Sequence, residues 1–117
     1  MSDANEGVVY LNEAEGKKRV MNNVKLYIRL LAKFKDDANL AGLNAAAAAQ
    51  DWETAQTSVH TLKGIAANLS LTELYQQSLE VEAHIKSRAL QNESLERLNT
   101  CYAATLAEID KVIAQNA

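Results

Sequence analysis

Proline is absent from this 117-residue chain, and glycine occurs only four times. All-β sandwiches and barrels need turn residues every few positions, so their absence favours a chain built wholly of helices. The single cysteine, Cys101, excludes an internal disulfide. It sits in an amphipathic stretch and reads as a small, partly buried packing residue. No run of roughly 18 apolar residues and no charged-then-apolar leader appears, so the expectation is a cytoplasmic protein that does not enter a membrane. Aromatic residues are few: Tyr10, Tyr27, Phe34, Trp52, Tyr75 and Tyr102. The core must therefore come from Leu, Val, Ile and much Ala, which implies closely spaced helices. The densest basic step is "GKKR" at residues 16 to 19 in a chain of net charge -3. That is no nucleic-acid footprint.

The 48% hydrophobic and 23% charged residues are those of a globular protein. The length suits one domain over residues 1–117, with residues 1–8 frayed. "YLNEAEGKKRVMNN" allows a short helix interrupted near Gly16. From Asn23 onward, Val24, Tyr27, Ile28, Leu30, Leu31 and Phe34 recur at the spacing of one helix face. "KDDANLAGLNAAAAAQ" either continues that helix past a bend at Gly42 or begins another; its alanines are strong helix formers that permit close approach.

Asp51 is placed to cap a helix beginning at Trp52, with Glu53 in the favourable first turn. Ala55, Val59, Leu62, Ala66 and Leu69 form its apolar face, and its end falls near Asn68 to Ser70. Thr72 reads as the cap of a further helix that buries Leu74, Ser78, Val81 and Ile85. Asn92 reads as the cap of a last one, buried through Leu95, Leu98, Tyr102, Leu106, Ile109 and Ile113. Four such helices joined by short connections predict an all-α, antiparallel up-down four-helix bundle with a short additional N-terminal helix.

The stretch "SVHTLKGIAANLS" at residues 58 to 70 stands out. With about 100° between successive residues, Leu62 and Leu69 fall on the side of the helix opposite His60, so His60 faces outward. Its own stripe carries Glu53, Gln56, Lys63, Gly64 and Ala67, all polar or small. Gly64 costs about 1 kcal/mol relative to alanine inside a helix. Bare backbone beside the ring, open to something bulky, is the simplest compensation. Lys63 adds a compact cation suited to an anionic group carried by the ring. An imidazole is largely neutral at pH 7 and hence nucleophilic, so a phosphoryl group fits the combination.

At these residues the chain resembles the histidine-containing phosphotransfer (HPt) domains of two-component phosphorelays. "HTLKGIAANLS" followed by "LTELYQQSLEVEAH" matches the family pattern at His60, Leu62, Lys63, Gly64, Ala66, Leu69, Leu74 and the pair Val81 and Glu82, while Ser70 stands where the family usually has glycine. A hydrogen bond made locally by the Ser70 hydroxyl would stand in for the glycine turn. The resemblance implies a carrier without kinase activity of its own. His60 would accept a phosphoryl group from one receiver-domain aspartate and pass it to another. Lys63 would stabilise the phosphoryl oxygens, Gly64 would give access, and Gln56 and Ala67 would border the partner. It implies response regulator receivers, and a hybrid sensor histidine kinase, as partners. No cofactor is expected on this chain, Mg²⁺ being held by the receiver. Met1 and the length suggest a stand-alone, monomeric carrier.

Other readings are weaker. His84 falls among charged residues on the solvated side of its helix, and its spacing from Glu80 and Glu82 does not fit a bundle metal site. No phosphate-binding loop and no nucleophile elbow are present. The alternative from a different class is a four-helix adaptor that binds a receiver or another helical partner without being phosphorylated.

Overall fold

A computed structural model of the chain describes residues 8–116, and the expected fraying of residues 1–8 falls almost wholly outside them. Six helices follow one another: α1 (Glu13–Arg19), α2 (Val24–Phe34), α3 (Asn39–Ala48), α4 (Trp52–Asn68), α5 (Thr72–Lys86) and α6 (Asn92–Gln115). No strand occurs among the described residues. Contacts between α3 and α4, α4 and α5, and α5 and α6 make each a neighbour of the next. The short connections and the pairing of early residues in one helix with late residues in the next make these four antiparallel, as expected. α2 lies against α6, and α1 against α2.

The segment from Asn23 to Ala49 is two helices. α2 stops at Phe34 because Asp37 turns the chain, accepting hydrogen bonds from the Asn39 backbone N–H at 3.0 Å and its side-chain amide at 2.7 Å. Gly42 then sits inside α3, where an added Cβ would lie 3.4 Å from Ser58 Oγ, so it serves the close approach of α3 to α4.

Gly16 does not interrupt α1. It is buried within the helix because the Tyr27 ring fills the space where a side chain at this position would lie. Tyr27 is itself fully buried, and its hydroxyl donates to the Leu69 carbonyl at 2.9 Å. Burial, with Glu13 and Glu15 nearby, raises this phenol to about 12, so it remains a donor.

Two expected caps are not caps. Leu71 and Gln91 occupy the N-cap positions of α5 and α6 and make no side-chain cap bond. The Thr72 hydroxyl is engaged instead by the Val9 carbonyl. The buried face of α6 is also turned from the expected one. Ser94, Leu98, Cys101, Thr105, Ile109 and Val112 face inward, and Leu95, Tyr102, Leu106 and Ile113 pack at its edge. The apolar stripe is broad because α6 serves two neighbours: it meets α5, and Tyr102 also packs on Phe34 of α2 with ring centroids 5.5 Å apart. Thr105 is accommodated inside by donating to the Cys101 carbonyl at 2.7 Å. Burial pushes the Cys101 thiol up to about 11, which keeps it unreactive.

The α4–α5 turn carries Ser70 in the left-handed region at φ 58, the conformation for which glycine is favoured. Its hydroxyl does not bond locally. It donates to Glu15 Oε1 at 2.9 Å, and the Ser70 carbonyl accepts from the Asn12 N–H at 2.9 Å. With Val9 on Thr72, the segment before α2 fastens this turn at three points, and Tyr27 of α2 adds a fourth at Leu69.

Candidate functional site

The Asp51 side chain starts α4 as expected, accepting from the Thr54 N–H at 3.2 Å and the Thr54 hydroxyl at 2.7 Å. These bonds hold its carboxyl below the ordinary range. From this fixed start the helix buries Ala55, Val59, Leu62 and Ala66 and turns His60 outward. The His60 side chain is 69% exposed. Gly64 follows one turn later with nothing within 4 Å of the position a Cβ would take. Gln56 and Ala67 are half-buried on the same side of α4. Gln56 lines a shallow depression shared with His60, Glu82 and Lys86; Ala67 lies about two turns further along, beyond Gly64.

Across the interface with α5, His60 Nδ1 lies 2.8 Å from Glu82 Oε2, and Lys63 Nζ lies 2.6 Å from Glu82 Oε1. Glu82 is only 3% exposed, a carboxylate set in the wall between two helices. Burial by itself would raise this carboxyl. The hydrogen bonds from Lys63 and then His60, with the charges of Lys63 and Lys86, outweigh that and bring it below its ordinary value of 4.5. Glu82 is therefore ionised at neutral pH and accepts only, so the ring atom facing it must be the protonated one. The neutral imidazole then has its lone pair on Nε2, the nitrogen away from Glu82. A ring held through one nitrogen with the other presented to solvent is suited to nucleophilic attack by Nε2 on an electrophile brought from outside.

Lys63 departs from the expectation of an exposed, loosely held cation. It is only 20% exposed, with its stem packed and its ammonium committed to Glu82. His84 departs too: it is half-buried, and its Nδ1 lies 3.1 Å from the buried hydroxyl of Ser94, joining α5 to α6. Glu82 is the residue to which the sequence assigned no role. Its signal was present, since it falls four residues after Ser78 and three before Ile85, a charged side chain on a face that otherwise goes inward.

Among the described residues, no group of three or more His, Cys, Asp or Glu side chains is arranged to hold a metal ion, and no helix is long and apolar enough to cross a membrane. The sequence model of the Hpt domain family matches residues 29–110, from the second half of α2 to α6. No curated protein and no solved structure matches the chain.

Proposed function

Because the chain belongs to the Hpt domain family, whose model covers well over half of it, we propose that His60 is the phosphoryl-carrying residue of a phosphorelay. The family consists of phosphoryl carriers rather than kinases and acts in two-component signalling. The observation that carries the assignment to His60 is its exposed ring, tied at Nδ1 to the buried Glu82 carboxylate.

A phosphoryl group arrives as an aspartyl phosphate on a receiver domain. His60 Nε2 donates its lone pair to phosphorus, the bond from phosphorus to the aspartyl oxygen breaks, and that oxygen leaves with the electron pair as a carboxylate. The imidazole becomes cationic while its N–P bond persists, and Glu82 across from Nδ1–H offsets that charge. The reverse sequence on a second receiver's aspartate returns the neutral ring. Lys63 gives one of its three N–H donors to Glu82 and has two for the phosphoryl oxygens. Mg²⁺ comes with the receiver, where it neutralises the transferring group. The partners in this reading are response regulator receivers and a hybrid sensor histidine kinase, met in the cytoplasm by a monomeric carrier. Gln56 and Ala67 border the contact.

Incubation with a phosphorylated receiver and Mg²⁺ tests this. Acid-labile, base-stable label is expected on the wild-type chain and none on His60→Gln. Label that persists on His60→Gln removes His60 from the mechanism, and no label from any receiver favours an adaptor that binds without being phosphorylated.

Gly64 provides an independent check. Valine and alanine are both better helix formers than glycine, and the space around this position is open, so neither substitution should lower the melting temperature. Gly64→Val nevertheless places two methyl groups beside the ring. Transfer from a receiver is expected to slow roughly 10- to 100-fold through misplacement of the reacting groups. Stopped-flow or gel-based transfer kinetics beside a thermal melt separate the two effects; loss of folding with unaltered transfer would make Gly64 a purely structural residue.

A further inference from the structure

Accepting His60 as the phosphoryl carrier, its charge surroundings do not match what a phosphoryl group needs. A group carrying close to two negative charges would sit on Nε2 beside the buried Glu82 carboxylate and near Glu53, which lines the same depression. The nearest cation in sequence, Lys63, is largely spent on Glu82 at 2.6 Å. A second cation borders that depression: Lys86, at the end of α5, one turn after Glu82. Its side chain is exposed and has no ion pair or hydrogen bond among the described residues.

α4 and α5 run antiparallel, so Lys63 and Lys86 approach the His60–Glu82 pair from opposite sides. Lys63 stands toward the C-terminal end of α4, and Lys86 stands toward its N-terminal end, near Gln56 and Glu53. We propose that Lys86 is the mobile cation of the site, the residue that swings onto the phosphoryl oxygens as phosphorus bonds to Nε2 while Lys63 stays with Glu82. Lys63, its charge already paired with Glu82, orients the ring and keeps only its remaining N–H donors for the phosphoryl oxygens, and Lys86 supplies the neutralising charge that this pairing leaves wanting. An unpaired lysine on a four-carbon stem has the reach for this without repacking a helix. Its positive charge also extends to Glu82, whose carboxyl it helps to lower.

The test uses the full chain and phosphoramidate, a small donor that phosphorylates histidine by exchanging its P–N bond for one to the ring and releasing ammonia. No receiver is present, so a docking effect cannot imitate a charge effect. Removing one unit charge about 4 Å from the group, in water, corresponds to roughly a five-fold change. Lys86→Ala is therefore expected to label about five-fold more slowly at low salt, with the deficit shrinking as ionic strength rises. Lys86→Arg, which keeps the charge, should label at close to the wild-type rate. Circular dichroism should show all three chains equally folded. Wild-type labelling of Lys86→Ala at low salt, with His60→Gln unlabelled, overturns the role of Lys86 and leaves that of His60 standing. Labelling of His60→Gln at the wild-type rate overturns both.

Discussion

Replacing Glu82 with alanine is expected to slow phosphoryl transfer through His60 by roughly 100-fold while leaving a folded protein. The carboxylate is the only group among the described residues hydrogen-bonded to the ring, and it selects which ring nitrogen carries the proton. Without it both tautomers are populated and the ring rotates freely in solvent, so the geometry that attack requires becomes one orientation among many. Stability should fall by about 1–2 kcal/mol, the cost of leaving the Lys63 ammonium without its partner in a site from which it can still reach water. Glu82→Gln is the sharper probe, because an amide N–H turned toward the ring would require Nδ1 to accept and would put the proton on Nε2. Nitrogen-15 NMR of the imidazole reads the tautomer directly, and transfer kinetics read its consequence. Wild-type rates in Glu82→Ala would show the contact to be structural only.

The pH dependence has a definite sign. Glu82 is lowered in the folded chain relative to its ordinary value of 4.5. Its contribution is then complete above about pH 4.5 and is lost as the pH falls through the lower folded value. The difference in melting temperature between the wild-type chain and Glu82→Ala should accordingly hold steady from neutral pH down to about 4.5 and close below it.

The second large effect is expected far from the site, at Gly16. A Cβ there would lie 2.5 Å from Cε1 and Cζ of Tyr27, a ring that is fully buried and anchored to Leu69. Gly16→Ala gains about 1 kcal/mol of helix propensity. Against this stand overpacking of about 1–3 kcal/mol and loss of a buried hydrogen bond of about 1 kcal/mol when the ring is displaced. A net loss near 2 kcal/mol should lower the melting temperature by about 10 °C. Adding Tyr27→Phe should recover little, since the ring carbons clash as well as the oxygen. A melting temperature for Gly16→Ala at or above wild type would mean that Tyr27 does not lie on α1.

Gly16 and Gly64 mark the boundary of what the sequence discloses. Both are helical glycines that directly follow a charged residue, Glu15 or Lys63, and only the structure shows one pressed against an aromatic ring and the other open. The inward face of α4 and the outward direction of His60 were legible, because one helix's period settles them. What crosses between helices was not. The pairing of His60 and Lys63 with Glu82, of His84 with Ser94 and of Ser70 with Glu15 depends on the register of one helix against another, which periodicity does not encode. The rotated face of α6 has the same origin: a stripe shared by α2 and α5 is broader than a single-neighbour pattern, and its centre is set by Phe34 as much as by α6 itself. Thr72 and Asn92 do not cap their helices because the residue before each, Leu71 or Gln91, takes the cap position without offering a side-chain bond, which a propensity for capping does not foresee.

All three described glycines lie inside helices, whereas the left-handed positions fall to Met21, Asn22, Gln50, Ser70 and Arg88. This inverts the common allotment, in which glycine takes the turns and alanine the helix interiors. Its consequence is for how such a molecule could be hardened. Ser70 is bound into its turn by Glu15, but Gln50 and Arg88 are exposed and lie in connections between helices, so glycine at those two places would relieve backbone strain. Heat tolerance could thus be raised at the hinges of the bundle with the chemistry on α4 left as it is.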